Sequence, residues 1–356
     1  MIRVAYVISQ LGRGGQERQL VNLLGALDRS RVEPSVVAWR ATAGDVYVEP
    51  IRELGVEVRL LPGRGRVRNL LALRRVVAEL KPDVVHSYSY FTNFAVAFAT
   101  SGTRAKAIGG LRNDFVSERA LAGAVLGRAS ARWPAVHVSN NGCAAAAAAA
   151  DRSWFRPRDI RVVRNGMDLD RFASLDPRPD DPPLLLGIGS LTPPKRWHLL
   201  VELASRLDDV AVAILGDGPE RADLEALVAR SGLGGRVTLP GATADVRPWL
   251  ARATMLVHVS AHEGLSNVVM EAMAAGLPVV ATDAGDTASL VGHGVTGFVV
   301  PVRDVDGVAT AVRKLLGDAD LRAAMGAAGA EVARRDFSLD RLAERTTAVY
   351  EDVLRR

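Results

Sequence analysis

The chain has 356 residues, 48% of them apolar and 24% charged, with a formal net charge of +5. That balance excludes a disordered or fibrous chain and gives core material for two domains of ordinary size. The lone Cys143 excludes an internal disulfide, and the longest apolar runs, Phe94–Ala99 and Ala144–Ala150, are far too short to span a bilayer, so a soluble cytoplasmic protein is expected.

In chain order, the first half alternates short β-rich runs with helical patterns. Strands are predicted at Arg3–Ile8, Pro34–Ala38, Val56–Leu60, Val84–His86, Ala105–Gly109, Ala135–Val138 and Arg161–Val163. Helices fall between them at Gln16–Leu27, Leu70–Leu80 and Ser117–Arg132. Repeated βα units of this length predict a doubly wound parallel sheet. Gly12-Arg13-Gly14-Gly15-Gln16-Glu17 joins the first strand to the first helix, where glycines let a ligand approach the backbone ahead of a helix N-terminus; a tight turn needs them as well. The spacing is not G-x-G-x-x-G and no acidic residue ends the next strand, which argues against a dinucleotide site. His86 ends a strand in Asp83-Val-Val-His-Ser-Tyr-Ser-Tyr90, a position more often structural than functional.

Charge is uneven. Residues 1–165 carry 25 Lys and Arg against 13 Asp and Glu, a net +12, while the remainder carries 20 against 27, a net −7. The clearest basic cluster is Arg64, Arg66, Arg68, Arg74 and Arg75, which fits an anionic partner surface or a solvated basic face. Little aromatic interleaving argues against nucleic acid.

A Pro-rich break, Asp176-Pro-Arg-Pro-Asp-Asp-Pro-Pro183, then reads as a linker. The βα rhythm restarts with strands at Leu184–Ile188, Ala211–Leu215 and Val237–Leu239, and with helices from Lys195 and Glu220. Gly187-Ile-Gly-Ser-Leu-Thr-Pro-Pro-Lys195-Arg196 brings two cations to a helix start, where they oppose the dipole; a bound diphosphate explains them better than helix stability does. Gly216-Asp-Gly-Pro219 forms another close-approach turn. Between Thr254 and Thr282 an apolar run, Met255–Val259, meets a polar elbow, then a helix opening near Ser266 or Asn267, then a second apolar run after Gly276-Leu277-Pro278. Backbone N–H groups of Leu265, Ser266 and Asn267 there suit an anion, and Glu263 and Glu271 suit hydroxyls on either side of it. A sugar nucleotide has that shape. Asp168-x-Asp170 resembles a metal-binding D-x-D, but Asp304-x-Asp306 and Asp318-x-Asp320 match equally, so no metal and no cofactor are assigned.

Together, GRGGQERQL, DVVHSY, VVRNGMDLDRF, GIGSLTPPKRWHLL, LGDGPERADLE and HEGLSNVVMEAMAAGLPVVATDAGDTASLV resemble the retaining glycosyltransferases of family 4, the glycosyl transferases group 1. The resemblance implies a GT-B fold: two facing Rossmann-like domains with the cleft between them. Residues 1–172 would bind acceptor, 173–183 would link, and 184–336 would bind donor, with a C-terminal helix at about 337–356 crossing back to the first domain. It implies that Glu271 holds the ribose hydroxyls and Glu263 those of the donor sugar. Gly264, Leu265 and Ser266 would offer amides to the phosphates, Lys195 its charge, and Gly14 and Gly15 would lie beside the diphosphate. Two departures matter. The family often has Arg where Ser190 stands, which throws diphosphate charge onto Lys195 with Arg196. Many members read H-x-H where Tyr88 follows His86; if the second position reaches the sugar, His86 is structural and Tyr88 takes its place.

The implied reaction moves a sugar from a nucleoside-diphosphate sugar to a hydroxyl acceptor with retention, in cell-surface polysaccharide or glycolipid synthesis. The expected acceptor is a glycan or a lipid-linked one, with the arginine cluster on the inner membrane face. A nucleotide-sugar epimerase of the same fold and a catalytically silent sugar-nucleotide-binding protein are the alternatives.

Overall fold

A computed structural model describes the chain except residues 13, 41, 43, 44, 64, 174 and 176–179, and except the side chain of Ala173. Arg64 of the basic cluster and much of the expected linker therefore lie outside the described residues. The chain divides into two compact units, Met1–Met167 with Ser338–Arg356, and Asp168–Phe337. The first contains β1 (Ile2–Ile8), β2 (Val32–Ala38), β3 (Glu57–Leu60), β4 (Val84–Ser87), β5 (Lys106–Leu111), β6 (Val136–Ser139) and β7 (Ile160–Val162). They form one parallel sheet in the order β3-β2-β1-β4-β5-β6-β7. The second contains β8 (Leu184–Ile188), β9 (Ala211–Leu215), β10 (Val237–Gly241), β11 (Met255–His258), β12 (Val279–Thr282) and β13 (Gly297–Val300), also parallel, in the order β10-β9-β8-β11-β12-β13. Both are Rossmann-like.

Why the sheets are buried follows from the strands themselves. β4, β8 and β11 are continuous runs of buried residues, as expected where helices cover both faces. In the first unit one face takes Leu20, Leu23 and Leu24 of α1 (Gly15–Ala26), and the other takes Leu73, Val77, Phe94, Ala99 and Ala129. Leu342, Ala343, Tyr350 and Val353 join the α1 side, so the terminal helix Leu339–Arg355 is part of the first unit's core.

The order of each sheet reverses once, between β1 and β4 and between β8 and β11. Ligands of open α/β sheets bind beyond the strand ends at such a reversal. Those ends carry Ser9–Gly12, Gly14, Gly15 and Tyr88 in one unit, and Gly189–Lys195 and Val259–Ser266 in the other.

Two local differences from the sequence reading have plain causes. The helix predicted over Ser117–Arg132 is two, Phe115–Leu121 and Ala124–Arg132, broken at Gly123 with φ +86°. The pair packs so closely that a Cβ on Gly127 would stand 2.2 Å from the Arg119 carbonyl oxygen. Likewise no α-helix starts at Lys195: Pro193–Lys195 is a 3₁₀ turn, Arg196 is left-handed at φ +55°, and α2 (Trp197–Ser205) begins after it.

Candidate active site

In the second unit, the loop after β8 is fixed by Trp197, whose buried indole N–H donates to the Ser190 carbonyl at 3.0 Å. Gly216 lets the neighbouring turn close on it, since a Cβ there would lie 1.9 Å from the Gly189 carbonyl oxygen. The Ala261 N–H donates to the Pro194 carbonyl at 2.8 Å, tying the elbow after β11 to the Lys195 loop. Gly285, at φ +58°, supports the elbow from behind, where a Cβ would be 2.0 Å from the Glu263 carbonyl oxygen.

This scaffold brings Lys195 and Glu263 into an ion pair through Nζ and Oε1. The same Oε1 receives Ser260 Oγ at 2.8 Å and lies 2.8 Å from Nε2 of the fully buried His258. Burial alone would raise the Glu263 pKa; His258 and Lys195 outweigh it and bring it down to about 2. Glu263 is therefore an ionised acceptor at neutral pH and not a proton donor. Its Oε2 has no hydrogen-bond partner among the described residues, leaving that oxygen for a ligand hydroxyl.

α3 (Asn267–Ala274) starts from Ser266 as N-cap, following Gly264 and the buried Leu265. Its first-turn amides lie at the end of β11 and favour an anion there. Glu271, one turn inside this helix, is 7% exposed. Ser190 is exposed and lies 3.2 Å from Thr192 through the two hydroxyls. Arg196 turns away from Glu263 to donate to the Val302 carbonyl, anchoring the loop after β13.

Candidates in the first unit are less open. Gly14 precedes α1 in extended backbone, and a Cβ on it would meet Glu17 Oε2 at 2.2 Å, so the Glu17 carboxyl folds over the loop. Burial pushes the pKa of Glu17 up. Beside Gly15, the Gln16 side chain donates to the Tyr88 carbonyl. His86 is 1% exposed; its Nδ1 lies 2.8 Å from the Tyr350 hydroxyl, which donates to Tyr6 at 2.9 Å. Burial, helped by the charge of Arg112, lowers the His86 pKa to about 3, so the ring is neutral. Tyr88 is also buried, with its hydroxyl 3.4 Å from the Gln19 carbonyl oxygen.

Three residues escaped the sequence reading. His258 and Ser260 sit within and just after a run read only as apolar; a histidine interrupting five strand residues was the available signal. Arg112 follows β5, lies 3.9 Å above the Tyr88 ring and has no carboxylate within ion-pair distance among the described residues. Its Nε is buried without a hydrogen-bond partner. Among the described residues no three His, Cys, Asp or Glu side chains converge as a metal would require.

Comparison with known proteins agrees with this architecture. The family model described as Glycosyltransferase Family 4 matches residues 13–171, and that described as Glycosyl transferases group 1 matches residues 182–318. The lipopolysaccharide core biosynthesis glycosyltransferase LpsE of Rhizobium meliloti is 28% identical over 350 residues, covering 93% of this chain and 94% of that one. HepE of Anabaena in complex with UDP superposes with a TM-score of 0.82 at 19% identity, over 99% of this chain and 100% of that one. Sucrose-phosphate synthase of Thermosynechococcus elongatus does so at 0.83 and 19%, over 99% of each chain. At such identities the structural likeness is one of fold. The two family matches cover strands β2–β13 and the helix-forming elbow with Glu263 and Glu271, and the chain belongs to family 4 of the glycosyltransferases, retaining enzymes of the GT-B fold.

Proposed function

We propose that the second unit binds the nucleoside-diphosphate sugar and that the first binds a lipid-linked glycan of the cell envelope. The observation that carries the donor assignment is the Lys195–Glu263–His258 cluster beside the N-terminus of α3, at the β8/β11 reversal. Ionised Glu263 accepts hydrogen bonds from donor-sugar hydroxyls through Oε2. Glu271 accepts them from the ribose. Lys195 and the amides of Gly264, Leu265, Ser266 and Asn267 hold the diphosphate, with Ser190 and the Gly216 turn alongside. Retention follows from attack on the face the diphosphate leaves: the departing oxygen takes the acceptor proton, the acceptor oxygen bonds to the anomeric carbon, and charge on the diphosphate grows as the bond breaks. A cation and fixed amides aimed at that charge are what such a step needs.

The acceptor assignment is supported by the likeness to LpsE, named for lipopolysaccharide core synthesis, and by the excess positive charge of the first half. Of the basic cluster, Arg66 lies 6.0 Å from the Phe91 ring centroid and Arg74 5.7 Å from that of Phe98, and Arg68 and Arg75 are exposed. These arginines would face an anionic membrane or a phosphorylated acceptor, with the enzyme peripheral on the inner face.

A donor screen tests the reading. One nucleotide sugar should release its nucleoside diphosphate slowly alone and rapidly with a lipid-linked core acceptor, and both rates should fall in Lys195→Met. Conversion of the nucleotide sugar to its epimer without acceptor, or no turnover of any donor, would overturn it.

A further inference from the structure

The first unit carries a second surface, apart from the strand ends and from the helix bearing Arg66 and Arg75. It is built from the turn joining Phe115–Leu121 to Ala124–Arg132, together with the segment Asp151–Arg158. Leu121 is 88% exposed, Val125 78%, Trp154 75% and Val116 59%. Val116, Ala124, Arg128 and Phe155 line one depression of about 450 Å³. The Arg128 guanidinium lies 5.2 Å from the Phe155 ring centroid, and that of Arg132 5.0 Å from the Trp154 ring centroid.

Residues 115–158 hold six arginines and two carboxylates. Asp151 pairs with Arg119, and Glu118 turns inward to accept from the Arg112 N–H and the Asn113 side chain. Arg128, Arg132, Arg152, Arg156 and Arg158 have no carboxylate within ion-pair distance among the described residues. Four large apolar side chains bare on one small region, ringed by unpaired cations, exceed what an isolated surface residue explains.

We infer that this surface docks the enzyme on an anionic lipid bilayer, with Leu121, Val125 and Trp154 entering the interface and the exposed Arg128, Arg152, Arg156 and Arg158 meeting lipid phosphates. Tryptophan and arginine are amphipathic side chains suited to that depth, apolar body inward and polar end at the headgroups. Aliphatic Leu121, Val125 and Val116 have no use against nucleic acid, where flat rings and phosphate contacts do the binding. The acidic counterpart is a surface rather than a single group, since the arginines are spread over the helix Ala124–Arg132 and the 151–158 segment. This deepens the lipid-linked acceptor reading and rests on it for its purpose only; the test uses neither donor nor acceptor, so the two fail separately.

The full chain is mixed with vesicles of phosphatidylcholine alone or with phosphatidylglycerol, at low and high salt, some containing brominated lipid. Co-sedimentation should require the anionic lipid, and Trp emission should shift to the blue and be quenched by bromine. Trp154→Phe should lose most of that quenching while still sedimenting. Leu121→Ser with Val125→Ser should weaken partitioning about tenfold or more at either salt, and Arg128→Ser with Arg156→Ser should do so chiefly at low salt. Far-UV circular dichroism should be unchanged in all of them. A wild type that stays in the supernatant, or an apolar double variant that binds equally, overturns the assignment. So does a dimer in sedimentation velocity that dissociates in the apolar variant without any vesicle binding, which would make the patch a contact between copies.

Discussion

Lys195 and Glu263, 68 residues apart in sequence, form an ion pair at the end of β8, and Glu263 Oε1 also takes His258 and Ser260. The lysine is thus held in place before any anion arrives. Under the proposed chemistry its charge is shared with a diphosphate that becomes more negative towards the transition state. Lys195→Met should therefore lower kcat by about 10²-fold or more. Initial rates with saturating donor check this; a raised KM with unaltered kcat would mean that Lys195 binds ground and transition states alike.

Glu271 is buried inside α3, and its expected partners are the ribose hydroxyls. Glu271→Ala should weaken binding of the free nucleoside diphosphate by about 1–3 kcal/mol, the usual result of leaving buried polar groups unpaired. Calorimetry measures it, and unchanged affinity sinks the ribose role.

The elbow depends on Gly285. Alanine there adds a left-handed backbone strain of about 1–2 kcal/mol and a Cβ that collides with the Glu263 carbonyl oxygen. Gly285→Ala should lower Tm and reduce turnover together, by displacing the Glu263 backbone. A variant with reduced Tm and full activity would show that the elbow tolerates the shift.

Much of this was legible in the chain. The β and α periodicities located both sheets, because strands covered on both faces are continuous apolar runs. Lys195 and Glu263 stood out as charges in loops that follow strand ends, and Glu271 as a carboxylate one turn inside the helix after the elbow. What stayed hidden depends on packing between distant segments. Nothing local announces that Glu17 folds over Gly14, that Arg196 is spent on Val302, or that His86 meets Tyr350 from a helix 264 residues later. The break at Gly123 was missed because an alanine- and arginine-rich stretch outweighs one glycine in propensity, while the close approach at Gly127 is tertiary.

Tyr350 bridges His86 Nδ1 and the Tyr6 hydroxyl inside the first unit. Tyr350→Phe keeps the ring but leaves two buried polar groups without that partner, a loss of about 1–3 kcal/mol. Urea unfolding should show a lower midpoint with unchanged slope. An equal midpoint would mean that the bridge adds nothing to holding the terminal helix.

The same cluster sets a pH dependence. Burial first, and the Arg112 charge second, lower the His86 pKa from 6.5 to about 3. Between those values the unfolded chain binds a proton that the folded chain does not. The His86 contribution is thus fully present above pH 6.5 and is lost as pH falls towards 3, with a limiting slope of about 1.4 kcal/mol per pH unit. His137, buried in the same unit and lowered to about 4, acts in the same direction. Most carboxylates titrate below pH 5, but burial raises Glu17 and Glu118, which oppose the histidines in wild type and variant alike; the difference between the two from pH 6.5 to 5 therefore isolates His86. His86→Gln should flatten the fall in stability over that interval while leaving His137's share. If the slope is the same in wild type and variant, His86 is not held neutral by its burial, and the ring must find a proton and a partner when the pH drops.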